Sequence, residues 1–354
     1  MSSEMHEVRQ SSSGRVEFLD GIRGLAALLV VIGHAIEAGN FANHGGQQWL
    51  NFGRVGIVAF FMVSGYVVAL SLDRQTVRVF WIRRFWRLYP TYWICVCIWI
   101  ACDWKQWSGR YELDLPTIVI NITMLQGFVG LTSILFPAWT LGNELVFYAQ
   151  QSLSRRFVPL SKAVHFGWCW LAFFGVLAVI TNLSKHDFDA VAPLCIFTAS
   201  IGYAFYLRDS RGSRVWMPYL AAGLLLVPLL GAVLQWPGVF VDSRGWNVWS
   251  FDFAYVVGIG LFVLLYSLRA LAMPRLVSWL GDISYVLYLV HAIVFLLLER
   301  AGVGGIWLAL VGVPLALVVA AYGRRLIDRR FQDIGRSLSM RRHEGAALAE
   351  AVAP

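Results

Sequence analysis

Apolar residues fall in long blocks along this chain, and short polar stretches rich in arginine separate the blocks. Ten blocks are long enough to cross the ~30 Å hydrocarbon core of a bilayer as helices. They are residues 18–38, 53–72, 88–104, 137–154, 163–181, 190–207, 215–234, 248–268, 276–298 and 303–323. The pattern predicts an all-α, polytopic membrane helix bundle of about ten transmembrane helices. An eleventh apolar stretch, 116–136, is apolar enough to enter the membrane. It is read as a re-entrant or interfacial helix on the outer side, because counting it as a span would invert every later loop.

Charge decides the orientation. With the N-terminus inside and the ten spans alternating, 23 Lys and Arg fall on the cytoplasmic side and 6 outside. Such a split over short loops predicts that both termini are cytoplasmic. It also accounts for the net charge of +8. No basic helix suited to a nucleic-acid groove is present, so DNA and RNA are set aside as partners, and the lipid bilayer is the partner implied. Composition agrees: 58% of residues are hydrophobic and 14% charged, against roughly 25% charged in soluble domains. Residues 1–15 are polar, lack the apolar core of a cleavable signal and read as a disordered tail. Residues 16–335 form the membrane domain, and 336–354 read as a second loose, cytoplasmic tail. Cys95, Cys97, Cys102, Cys169 and Cys195 lie in or beside apolar runs without metal-ligand spacing, so they read as small buried hydrophobes and no metal site is expected. No internal repeat is evident, which weakens a transporter built from duplicated halves.

Against this apolar background a few ionisable residues stand out, and each is a functional candidate because a charge inside a membrane helix is costly. Arg23 and His34 share the first span, about 16 Å apart along its axis, with Asp20 and Glu37 flanking them. His34 reads either as a histidine hydrogen-bonded within the bundle or as a general base. Glu144 enters its span from the outer side and reaches a similar depth, so it is a candidate to orient His34, with Asn143 and Thr140 as weaker neighbours. Arg83, Arg84 and Arg87 recur at near-helical spacing in RVFWIRRFWRLYP (78–90). They read either as a positive-inside anchor with an aromatic belt or as a site for a phosphate donor, with anionic lipid a third candidate. Ser284, Tyr288 and His291 fall on one face of the ninth span, as a substrate-facing stripe or as interhelical hydrogen bonds, and Asp282 lies nearer its cytoplasmic end. Ser64, beside Gly65, reads mainly as a close-packing position. Asp252 interrupts the eighth span without an evident partner. His6, His44, His165, His186 and His343 lie in tails or loops and read as solvated.

The chain resembles the membrane acyltransferase 3 family from about Val16 to Phe331. The resemblance rests on five ordered motifs: FLDGIRGLAALLVVIGH with its R-x10-H spacing, FFMVSGY, RRFWRLYP, PAWTLGNE and SYVLYLVH. It implies a ten-span enzyme of the bacterial inner membrane that moves acyl groups from cytoplasmic acyl-CoA, acetyl-CoA first among them, to hydroxyls of a carbohydrate or glycosylated small-molecule acceptor. Acyl-CoA is then a co-substrate, and no cofactor is implied. By motif, Arg23 and His34 resemble the R-x10-H pair, with His34 catalytic, and Arg83, Arg84 and Arg87 resemble the arginine motif of the donor site. Glu144 resembles the acidic end of a W-S-L-x-x-E element, which here reads WTLGNE with Thr140 in place of Ser. Many relatives carry a C-terminal hydrolase-like domain, for which there is no room after the tenth span. Direct transfer and an acyl-enzyme on His34 or Ser64 both remain open. Two other classes stay in view: a transporter of acyl groups or lipid-linked sugars with His34 and Glu144 as a proton relay, and a structural subunit of an envelope-polysaccharide complex.

Overall fold

A computed structural model describes residues 16–39, 51–104, 113–184, 186, 188–235 and 248–352. His6, His44, the His343 side chain and six of the counted cations (Arg9, Arg15, Lys105, Arg110, Lys185, Arg244) lie outside the described residues. Every membrane-length block is a helix. The first five helices are α1 (Glu17–Ala38), α2 (Phe52–Arg74), α3 (Val77–Cys102), α4 (Leu115–Ile122) and α5 (Trp139–Ser154). A single turn, α6 (Leu160–Ala163), leads into α7 (Phe166–Ser184), and α8 (Val191–Arg211) follows. A π-helical stretch, Ala222–Leu226, joins α9 (Trp216–Ala221) to α10 (Val227–Gln235). Then come α11 (Val248–Ser267), α12 (Arg275–Arg300) and α13 (Ile306–Gly323), and a second π stretch, Arg324–Asp328, carries α13 into α14 (Arg329–Val352). Among the described residues there is no strand.

Among the described residues eight helical rods are long and apolar enough to cross a membrane, so the chain is a multi-pass membrane protein. The two other expected spans are α3, whose first half carries Arg78, Arg83, Arg84 and Arg87, and α5, whose 16 residues reach only about 24 Å. Three expectations change here. The arginine-aromatic segment is not a lead-in to α3 but its first three turns. Thr76 caps that helix start by accepting from the Val79 N–H at 3.4 Å. The stretch from Arg336, expected as a loose tail, continues as helix to Val352. Of the cysteines only Cys95 and Cys195 are buried, whereas Cys97 and Cys169 are exposed on the outside of the bundle.

Small residues set the closest crossings. A Cβ on Gly65 of α2 would lie 1.7 Å from the Ala199 carbonyl oxygen of α8, and one on Gly202 of α8 would lie 1.8 Å from the Met62 carbonyl oxygen. Backbone therefore meets backbone, as small residues allow in membrane helices. The same holds for α1 and α12, where a Cβ on Gly24 would lie 2.6 Å from the Gly281 nitrogen. α1 and α12 run parallel from that contact.

One end of the bundle gathers the arginines. The end of α2 meets the end of α8 through Arg211–Asp73 at 2.9 Å. Arg324, after α13, reaches the start of α12 at Asp282, 3.0 Å away. Arg83 of α3 donates to Ser339 Oγ of α14 at 3.0 Å. This is the end that the charge asymmetry assigns to the cytoplasm.

The stretch between α3 and α5 is not a span. Among the described residues its one α-helix, α4, has 8 residues and is about 12 Å long, and two short 3-10 turns follow it. It stops where Met124 takes a left-handed φ of 64°. Its last carbonyls, left without helical partners, accept from α3 side chains: Tyr92 Oη to Asn121 O at 2.7 Å, Trp93 Nε1 to Ile122 O at 3.0 Å and Tyr89 Oη to Thr123 O at 3.2 Å. Buried Asn121 locks the return. Its Nδ2 donates to the Thr132 carbonyl at 3.1 Å, and its Oδ1 accepts from the Ile134 N–H at 2.9 Å. Asn121→Ala leaves those two backbone groups unpaired and is expected to cost roughly 2–4 kcal/mol, read as a lower Tm in detergent.

Candidate active site

Two cavities meet inside the arginine-rich half of the bundle. The inner one, of about 90 Å³, is lined by Ser64, Thr140, Glu144, Ser284 and Tyr288 among others. The outer one, of about 240 Å³, is lined by Asp20, Asp282, Arg324, Asp328, Gln332 and Arg336 among others. Arg23, Arg87 and Tyr285 line both and form the neck between them.

The neck is unevenly charged. Arg23 is met by Asp20 at 3.3 Å and donates to Ser284 Oγ at 3.2 Å. Among the described residues Arg87 makes no hydrogen bond or ion pair of its own. Its strongest charged neighbours, Arg23 and Arg84, repel it, and Glu144 is the compensating charge. A guanidinium held in this way within a membrane bundle, without a direct anion, carries a desolvation cost of several kcal/mol. An anionic ligand in the neck would relieve it.

Three of the four arginines of the 78–90 segment, Arg83, Arg84 and Arg87, part company. Arg83 faces α14. Arg84 is buried, lies over the Phe80 and Tyr148 rings at 5.2 and 4.9 Å, and donates to Tyr148 Oη and Ser71 Oγ at 3.3 Å each. Arg87 alone reaches the neck. Arg83 and Arg84 are consecutive and so about 100° apart around the helix, and Arg87 follows three residues on; their spacing does not reveal which partner each one meets.

Glu144 ends a short chain of hydrogen bonds. Tyr148 Oη, held by Arg84, donates to Glu144 Oε1, and Ser64 Oγ donates to the same oxygen at 2.7 Å. An alcohol on a carboxylate is the arrangement of an activated hydroxyl. Ser64 is thus more than a packing position: it faces the inner cavity and ties α2 to α5. Nothing in its surroundings in the sequence marks it apart from Gly65.

His34 has a different partner from the one its depth suggested. His34 Nδ1 lies 2.8 Å from His291 Nε2, and the two rings meet edge to edge with centroids 5.1 Å apart and planes at 16°. Glu144 bonds Ser64 and Tyr148 instead. The reason is the parallel pair α1 and α12. From the Gly24–Gly281 contact, ten residues along each helix lead to His34 and to His291. His291 therefore joins the candidate base rather than the cavity wall.

Between the inner cavity and the histidines lies one layer of side chains. Tyr288 Oη is 2.6 Å from Thr140 Oγ1, and it also donates to the Pro137 carbonyl. Tyr288 and His291 have ring centroids 6.1 Å apart, and Phe136 packs against His34 at 5.2 Å. The remaining candidates are elsewhere. Asn143 turns to Cys195 on α8. Asp282 pairs with Arg324, which also holds Asp328 at 2.9 Å. Asp252 has a buried Oδ1 without a hydrogen-bond partner among the described residues. His165 and His186 are exposed.

A family model described as an acyltransferase domain matches residues 16–325. The chain belongs to the acyltransferase 3 family. It is 28% identical to a putative membrane-bound transacylase of Komagataeibacter xylinus, over 93% of this chain and 86% of that one. A putative O-acetyltransferase of Staphylococcus aureus is 31% identical over 90% of this chain, which spans 57% of that protein. The peptidoglycan O-acetyltransferase of Listeria monocytogenes is 31% identical over 41% of this chain and 25% of its own length. No solved structure matches. As an acyltransferase 3 member the chain is a membrane-bound acyltransferase, and the motifs on which the resemblance rested are those that line the neck, the inner cavity and the histidine pair.

Proposed function

We propose that this acyltransferase works in the bacterial inner membrane, takes its acyl group from acyl-CoA at the cytoplasmic face and delivers it to a hydroxyl of a carbohydrate or glycosylated acceptor. The observation that carries the reading is the neck: two guanidiniums, one without its own anion, between an outer cavity at the arginine-rich end and an inner cavity holding Glu144. A long, thin, phosphate-bearing thioester suits that shape. Its phosphates stay at Arg23 and Arg87 while its acyl end enters the inner cavity. The names of relatives that act as O-acetyltransferases support an acetyl group and an oxygen acceptor.

In this reading His34 takes the proton of the acceptor hydroxyl, and the oxygen attacks the thioester carbon. The carbon–sulfur bond breaks, and the proton goes on to the departing CoA thiolate. Acyl carbon and hydroxyl meet at the layer of Tyr288 and Thr140, between the donor cavity and His34. Glu144 balances Arg87 across the cavity.

Arg87→Ala tests the donor assignment. Loss of one charge-assisted contact of about 1.5–3 kcal/mol predicts acetyl-CoA binding weaker by roughly 10- to 100-fold. Isothermal titration of the purified protein in nanodiscs measures it, and unchanged affinity would leave Arg87 a topology anchor.

A further inference from the structure

We propose that Arg336 of α14 holds the 3′-phosphate of a coenzyme A donor at the rim of the outer cavity, so that α14 selects free CoA thioesters over donors that lack this phosphate. This rests on the reading of acyl-CoA as the donor and deepens it. α14 begins at Arg329, past the residues 16–325 that the family model matches, and none of the five motifs reaches it. Its Gln332 and Arg336, one turn apart on one face, nonetheless line the outer cavity.

The charges of that cavity leave Arg336 over. Among the described residues its carboxylates are Asp20, Asp282 and Asp328. Asp20 meets Arg23 at 3.3 Å, while Arg324 takes Asp282 at 3.0 Å and Asp328 at 2.9 Å. The lining arginines that remain are Arg87, at the neck, and Arg336. Among the described residues the partner of Arg336 is Asp333, on its own helix at 3.3 Å, and both side chains are more than half exposed. A surface pair of that kind is weak, so a phosphate at the rim can take the guanidinium, whose fork matches two phosphate oxygens. Arg83 is near enough for the two cations to repel each other, which an anion at the rim relieves.

α14 is fixed before any ligand arrives. Buried Asp328 accepts from Thr91 of α3 and from Gln332, at 2.9 Å each. The Phe331 ring stacks on Trp86 with centroids 6.2 Å apart, and a Cβ on Gly335 would lie 2.6 Å from the Trp86 Cβ. Buried Ser339 accepts from Arg83 at 3.0 Å. Gly335 on Trp86 and Ser339 on Arg83 place the backbone of Arg336 between those two levels of α3, within about 6 Å of Arg87 along the axis and on its cytoplasmic side. In coenzyme A the pyrophosphate lies nearer the thioester than the 3′-phosphate does. With the acyl end inward and the pyrophosphate at the neck, the 3′-phosphate falls on the cytoplasmic side, where Arg336 stands. A thioester on the phosphopantetheine of a carrier protein has no 3′-phosphate to offer there.

Titration calorimetry on the full chain in phosphatidylcholine nanodiscs, with coenzyme A and 3′-dephospho-coenzyme A as probes, tests the subsite. Wild type should bind coenzyme A roughly tenfold more tightly than the dephospho form, a modest ratio for a charge-assisted contact because Arg336 is half exposed. In Arg336→Gln that preference should vanish through weaker binding of coenzyme A alone. Unchanged binding of the dephospho form shows at the same time that the variant is folded. Arg336→Lys, which keeps the charge, should retain most of the preference, and Arg87→Ala should weaken both probes and keep it. Equal affinity of wild type for the two probes overturns the subsite. So does a preference that survives in Arg336→Gln, since the phosphate is then held elsewhere and Arg336 is left to lipid headgroups. Failure of wild type to bind either probe would overturn the acyl-CoA reading, and the subsite with it.

Discussion

His34→Ala is expected to remove acyl transfer while leaving donor binding intact. Loss of a general base predicts a fall of about 10²- to 10⁴-fold in kcat. Under the proposed donor site at Arg23 and Arg87, acetyl-CoA affinity should hardly move, because His34 does not line the inner cavity. The split matters more than the size of the effect. A residue that merely packs α1 against α12 would lower the amount of folded protein and leave the remainder active. A base lowers turnover in protein that is fully folded. Single-turnover release of thiol from acetyl-CoA, measured beside donor titration on the same preparation, separates the two. Wild-type turnover in folded His34→Ala would remove His34 from the chemistry.

The largest expected effect on stability lies far from the site, at the crossing of α2 and α8. Gly65→Val and Gly202→Val each drive a branched side chain into a facing carbonyl that a Cβ alone would approach to 1.7 and 1.8 Å. Two helices must separate, and both are mostly buried. The loss is expected to exceed about 4 kcal/mol, in the range reserved for severe overpacking and broken backbone contact. It should appear as failure to recover monodisperse protein after solubilisation. Gly260→Ala is the control. That glycine is in α11 with no neighbour within 4 Å of an added Cβ, so alanine should be neutral or stabilise the helix by up to about 1 kcal/mol. Equal loss in all three variants would mean that the crossing has no special role.

The helices were legible because a bilayer admits few solutions, and block length and arginine placement report on it directly. That residues 116–136 do not form a span is legible for a negative reason: their insertion as a span would break the charge pattern. Their hydrogen bonds are not, since Asn121 looks like any polar residue at a helix end until α3 is seen to cap the carbonyls beside it. The site divides in the same way. Arg23, His34 and Glu144 stand out as charges among apolar neighbours, and depth along a helix is simple arithmetic. Depth says nothing of azimuth, however. Glu144 and His34 share a level, yet His34 turns to His291, since α1 and α12 are in register from Gly24 and Gly281. The sequence favours packing for Ser64 because a hydroxyl in FFMVSGY carries no charge to betray its partner. The 78–90 arginines looked equivalent because composition counts them together, whereas a helix points each one elsewhere.

The single layer of Tyr288, Thr140 and the Pro137 carbonyl has a consequence beyond catalysis. Tyr288 lies thirteen residues into the 26-residue α12, about 20 Å from its start, so the two cavities reach to about the middle of that helix before that layer closes the inner one. An energised membrane drops about 2.3 kcal/mol per elementary charge for each 100 mV across whatever insulation is left. In the proposed reading, the layer that admits an acyl group is also part of the insulation left between the cavities and the far side of the membrane. A side chain trimmed there would be felt as current as well as in product.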